Sequence, residues 1–190
     1  MSKATQHTAY RTDWATPQWL FNYCNNRWGP FDVDMCASDS NKKHARYYSI
    51  NNPCPTLKPV GVTRAWMNPP YGKGIADWLR VATNWSLDGA AVVALLPANT
   101  SSRWWHMWAN TPTISDVFLL TPRVAFADPV GKRSAPVGGS CLFIFDAEIK
   151  DRYLSITKDL SRSSPRIHPL NLHAARNLAK TTGKELGGAK

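Results

Sequence analysis

Arg64-Ala65-Trp66-Met67-Asn68-Pro69-Pro70-Tyr71 is the stretch whose reading decides the fold. Its first four residues read as a strand, and Asn68-Pro69-Pro70-Tyr71 stops it. A helix is predicted next, with Ile75, Trp78, Leu79, Ala82 and Trp85 on its apolar face. Ala90–Leu96 is almost wholly apolar, as a central strand covered on both faces should be. Upstream, Thr16 as N-cap and Pro17 at the first helical position open a helix that Gly29-Pro30 closes. Phe31–Cys36 reads as a short strand, and residues 37–62 as irregular chain. Downstream come a helix over Ser101–Ala109 and strands over Asp116–Leu120 and Cys141–Asp146. Strands alternating with helices predict a three-layer α/β domain, a mixed sheet with helices on both faces.

Asn68-Pro69-Pro70-Tyr71 lies where α/β sheets place their ligands, at the carboxyl end of a strand. Two prolines in succession fix the backbone and remove two N–H donors, which leaves carbonyls free to accept. That suits chemistry on an exocyclic aromatic amine, whose lone pair is delocalised into the ring and poorly nucleophilic. An Asn side-chain oxygen and a backbone carbonyl, each accepting an N–H, draw the nitrogen toward tetrahedral geometry and free the lone pair. Tyr71 offers a flat face on which a base could stack.

The chain of 190 residues carries a net charge of +10, from 23 Lys+Arg against 13 Asp+Glu. Such a field favours a polyanionic partner. Asp128–Ser140, with Lys132-Arg133, reads as a mobile basic loop, and residues 150–190 as a basic tail or a pair of small helices. The predicted organisation is a catalytic domain over 1–148 and a basic extension over 149–190. Neither a membrane span nor an apolar signal core is visible, and Cys24, Cys36, Cys54 and Cys141 form no CxxC pair. A reducing, cytoplasmic setting is expected, with no metal. Most of the nine tryptophans should lie in the core.

Five pieces in order resemble the phage-type, Dam-like DNA N6-adenine methyltransferases: Trp14-Ala15-Thr16-Pro17, Phe31–Ser38, Trp66–Tyr71, Leu95-Leu96-Pro97-Ala98 and Arg123-Val124-Ala125-Phe126. The resemblance implies a Rossmann-like methyltransferase sheet, S-adenosyl-L-methionine as cofactor and a flipped adenine of DNA as target. It implies catalytic roles for Asn68, Pro69, Pro70 and Tyr71. On the cofactor side it points to Asp34, with Asp32 directed to the same side, to the turn at Ala37 and Ser38, and to the helix start at Thr16 and Pro17. On the substrate side it points to Tyr71, with Phe126 on the other face of the base; Arg123, as a phosphate or cofactor contact, and Lys132 and Arg133 of the basic loop are substrate-binding candidates by their charge. Two departures stand out. The turn after the first strand has no glycine, and between Ser38 and Asn68 the only acid is Asp39, leaving Asn51 and Asn52 as polar substitutes for a ribose-binding carboxylate. N4-cytosine methylation, methylation of a protein glutamine and a non-catalytic basic DNA-binding protein remain as alternatives. With no large recognition domain in view, relaxed sequence specificity is expected.

Overall fold

The computed structural model describes residues 14–72, 74–109, 111–127, 133–134, 138–146, 148 and 166–185. In chain order the elements are α1 (Gln18–Trp28), β1 (Val33–Asp34), β2 (Arg64–Met67), α2 (Ile75–Leu87), β3 (Ala91–Pro97), α3 (Arg103–Trp108), β4 (Ile114–Thr121), β5 (Phe126–Ala127), β6 (Arg133–Ser134), β7 (Ser140–Phe145), β8 (Arg166–Asn171) and α4 (Leu172–Glu185). Strands β1, β2, β3, β7, β4 and β8 form one six-stranded sheet in that order. The β1–β2–β3 pairings are parallel, β7 runs antiparallel to both its neighbours, and β8 returns parallel to β4. The carboxyl ends of β1, β2, β3, β4 and β8 therefore share one edge.

Period-two alternation divides the interior into two layers. Ala65, Met67, Val92, Ala94, Leu96, Phe143 and Phe145 face a cluster completed by α2 and α3. Trp66, Val93, Leu95, Leu142 and Ile144 face the other cluster, with Leu20, Phe21 and Cys24 of α1 and Leu172 of α4. All nine tryptophans pack in or against these clusters; Trp66, Trp85 and Trp105 are buried. The α1 start differs by one residue from expectation: Pro17 is the N-cap, with extended ψ of 133°, and its carbonyl accepts from Leu20 and Phe21. At the end of α2, Gly89 takes a positive φ of 85° while its N–H reaches the Ser86 carbonyl, a left-handed step that glycine makes without steric cost.

Within the stretch expected as a separate basic extension, residues 166–171 form an edge strand of this sheet and residues 172–185 a helix beside it. Strand β8 pairs with the whole second half of β4, from Asp116↔Arg166 to Thr121↔Asn171. Asp116 binds β8 side chains, accepting from His168 at 2.9 Å and pairing with Arg166 at 3.1 Å. Leu170 and Leu172 enter the α1-side cluster, and Arg176 of α4 lies over the Trp19 ring of α1. A boundary at 148/149 thus cuts off a strand and a helix of the catalytic unit. Truncation after residue 165 should lower the urea midpoint substantially, because it exposes Phe118 and Leu120 and leaves β4 an open edge. An unchanged midpoint would restore the independent-tail reading.

Candidate active site

Three segments distant in sequence meet at the carboxyl end of β2. Asn68 follows the last β2 residue, and its Nδ2 donates to the Trp14 carbonyl at 3.4 Å, turning Oδ1 away from that contact. The Trp14 segment is held by Ala15, which exchanges two backbone hydrogen bonds with Ala127 at 2.8 and 3.2 Å. Phe126, on the same strand, meets the ring edges of Trp14 at 6.3 Å and Tyr71 at 6.0 Å, both nearly perpendicular. The Trp-Ala-Thr-Pro, Asn-Pro-Pro-Tyr and Arg-Val-Ala-Phe pieces are therefore one constellation.

Tyr71 is half-buried. Its hydroxyl is sunk in the interior facing Ser140, and burial pushes the phenol far above its ordinary value. It is held neutral and cannot act as a base at physiological pH. Phe126 is 3% exposed, so it supports Tyr71 and Trp14 from behind and does not stand free to cover a second face of a base. Arg123 is exposed beside it. Arg133 pairs through its backbone with Ala127 in the β5–β6 hairpin, and Lys132 lies outside the described residues. His106 is exposed on α3.

Next to Asn68 opens a cavity of about 610 Å³. Cys36, Ala37 and Ser38, just past β1, form one wall, and Asn68 and Pro70 another. Tyr48 and, from α2, Trp78 add aromatic surface; Asp39, Asn41, Asn51 and Asp77 make it polar. Thr16, Pro17, Asp32 and Asp34 are not on these walls. The cavity falls within the ordinary size range of small-molecule sites, mixed apolar and polar as they are.

Asp32 and Asp34 have opposite fates. The Asp32 carboxylate lies at the amino end of β2, accepting from Thr63 N–H at 2.7 Å, Thr63 hydroxyl at 2.9 Å and Arg64 N–H at 2.8 Å. Against a desolvation cost, these bonds hold its pKa below the ordinary value. Asp32 is not brought to the cavity; it caps the start of the neighbouring strand. Asp34 is 2% exposed and accepts from the N–H groups of Lys43 at 3.0 Å and Cys36 at 3.3 Å. Lys43 also reaches Gln18, the first residue of α1, at 3.3 Å. Asp34 therefore shapes the Cys36–Lys43 turn from beneath the cavity wall and ties it, through Lys43, to the α1 start at Thr16-Pro17.

The family model for "DNA N-6-adenine-methyltransferase (Dam)" matches residues 3–165. The chain belongs to this family. Among its relatives, the DNA N-6-adenine-methyltransferase of Haemophilus phage HP1 is 30% identical over 128 residues, which cover 66% of this chain and 72% of that protein. The enzyme of the same name from Escherichia phage T1 is 30% identical over 96 residues, or 50% of this chain and 40% of that one. A type I restriction-modification methyltransferase subunit from Streptococcus thermophilus superposes with a TM-score of 0.42 at 15% identity, covering 73% of this chain and 46% of that one. The family makes the chain a DNA adenine N6-methyltransferase by enzyme class, with a methyl donor of the S-adenosylmethionine type. The cytosine, protein-glutamine and non-catalytic alternatives fall to that membership. Among the described residues no helix is long and apolar enough to cross a membrane, and no cluster of His, Cys, Asp or Glu could hold a metal.

Sequence reasoning missed Tyr48, Trp78 and Lys43. Trp78 was legible only as part of the apolar face of α2; nothing local distinguishes a wall residue from a core one. Lys43 carried no signal.

The buried Asp34 makes stability pH-dependent. Burial raises its pKa from 3.8 to about 6, against the opposing Lys43 and Cys36 amides and the Lys43 charge. A carboxyl with a raised folded-state pKa contributes its full stability below the unfolded value of about 4 and loses it as pH rises through the folded value. The urea stability of wild type relative to Asp34→Asn should accordingly fall between pH 4 and pH 7, by on the order of 3 kcal/mol. A pH-independent difference would show that Asp34 is ionised throughout.

Proposed function

We propose that the chain methylates N6 of an adenine swung out of DNA, with S-adenosyl-L-methionine in the cavity beside Asn68. The observation that carries this reading is the placement of Asn68 at the junction of cavity and aromatic constellation, its amide tethered to Trp14. When bound, the cofactor supplies an electrophilic methyl group on a sulfonium. Ala37 and Ser38 line its site directly; Asp34 holds that turn in place, and the α1 start at Thr16-Pro17 with Lys43 provides positive potential for a carboxylate.

Asn68 Oδ1 accepts one adenine N–H and the Pro69 carbonyl the other. Both bonds strengthen as the amine becomes tetrahedral and cationic, so they favour the transition state over the ground state. Held in this way, the amine would take the methyl group that the sulfonium donor supplies, with S-adenosylhomocysteine as the leaving product, and would then lose its proton to solvent without a strong base. The accessible part of the Tyr71 ring stacks on the base, and Phe126 fixes that ring's tilt. Arg123, exposed just before β5, takes phosphates, and the charges of Lys132 and Arg133 add to the attraction for the DNA backbone. A reducing host cytoplasm fits the four free thiols.

We expect relaxed specificity, because the basic stretches around 128–140 and beyond 149 suit phosphates more than base edges by composition: adenines modified in very short or degenerate contexts, and activity falling steeply with salt. Incubation of plasmid with labelled cofactor, then nucleoside mass spectrometry and sequencing of modified sites, tests both parts. N6-methyladenine should appear, and Asn68→Ala should lose well over tenfold in rate, more than about 1.4 kcal/mol, while still binding cofactor. A variant that keeps a tenth of the rate would remove Asn68 from the chemistry. Modification confined to one palindrome of four or more base pairs would overturn relaxed specificity.

A further inference from the structure

Tyr71 stands in the bend between β2 and α2, outside any regular element. Pro69 and Pro70 fix the chain up to it, and Phe126 meets the edge of its ring. An edge contact limits how the ring tilts but leaves it free to slide along that edge. The far end of the side chain, its hydroxyl, is sunk in the interior against Ser140.

Ser140 is the first residue of β7 and 1% exposed. The sheet sets its backbone: it is the register partner of Pro97 at the end of β3, and the Ala98 N–H donates to the preceding Gly139 carbonyl at 2.8 Å. Because β7 runs antiparallel to β3, Ser140 lies on the same edge as Asn68–Tyr71. Every residue of β7 is buried, and Ser140 carries its one hydroxyl. Alanine would fill that space, whereas a buried hydroxyl costs stability unless it is bonded. The same holds for Tyr71, since a phenylalanine would offer a base the same flat face without burying an oxygen. Among the described residues neither oxygen bonds any other group. The Cys36 and Cys141 thiols lie near the phenol, and burial keeps both protonated, which makes them weak partners.

We infer that Ser140 is a positioning residue for the target base: its Oγ anchors the Tyr71 hydroxyl, and this anchor sets where the Tyr71 ring meets the swung-out adenine. The inference rests on the stacking role proposed for Tyr71 above. Ser140 is not on the cavity walls, so it acts through Tyr71. With the two oxygens satisfying each other, the ring is held at a fixed reach before DNA arrives, and stacking needs little reordering of the side chain.

The test uses the full chain as wild type, Ser140→Ala, Tyr71→Phe and the double variant. Single-turnover methylation is measured on a duplex built on a site modified in plasmid, and fluorescence on the same duplex with 2-aminopurine for the target adenine. Each single variant should methylate roughly three- to tenfold more slowly, the scale of one lost neutral hydrogen bond. The double variant should be no slower than either single, because the same interaction is lost only once. Emission should rise in all three, since a misplaced ring quenches the base less. Removing one hydroxyl strands the other, so the double variant, which strands neither, carries the test where a single one does not fold. Wild-type rate or wild-type emission in the folded double variant, or losses that multiply in it, would overturn the anchor. A wild-type rate in Tyr71→Leu would overturn the stacking role itself, and the anchor with it.

Discussion

Strand β2 cannot continue past Asn68, because Pro69 and Pro70 have no amide hydrogen to give to a neighbouring strand. It is nonetheless an interior strand, flanked by β1 and β3, with Ala65, Trp66 and Met67 wholly buried. A rigid, buried strand therefore stops at a fixed point on the sheet edge, and the aromatic constellation and the cavity are arranged around that stop. The Trp14 carbonyl meets the Asn68 amide there, β5 holds Trp14 in place, and the cavity opens on the other side. Asn68 is placed by backbone rigidity and by one side-chain tether, so little reorganisation is needed when a substrate arrives.

Electrostatics at this edge depend on burial more than on residue type. Asp32 and Asp34 are two positions apart, yet one carboxylate is held below its ordinary pKa by three hydrogen bonds and the other is pushed up to about 6 by burial. The first anchors the amino end of β2 and the second folds the turn that lines the cavity. That cost of burial is the kind of strain that functional sites carry and the rest of the fold must offset. The Lys43 charge and backbone amide offset part of it, and Lys43 also connects the turn to α1.

Much of this was readable from residues alone, where a local signal existed. Arg64–Met67, the apolar run of β3 and the face of α2 were legible because burial on both faces, or on one helical stripe, imposes its period on the sequence. Arg166–Asn171 was not: it carries Pro169, which a strand tolerates at a sheet edge, and pairing with β4 some 50 residues away leaves no local trace. Placing Asp32 and Asp34 on one side failed for a related reason, since β1 has only two residues and Asp32 lies before it. At the candidate site, Asn68-Pro69-Pro70-Tyr71 was legible from its residue types together with its place after a strand and before an amphipathic helix, and Asn68 and Pro70 do line the cavity. Phe126 looked like a base cover and is a buttress, a distinction set by the depth of a side chain and not by its identity.

The central claim is that the cavity beside Asn68 holds the methyl donor, so that the donor and the target amine meet at the end of β2. A crystal structure of the chain with bound S-adenosylhomocysteine tests this most directly. The account expects the ligand along Cys36–Ser38, with its sulfur directed toward Asn68. Ligand density on another face of the sheet, or a sulfur directed away from Asn68, would contradict it.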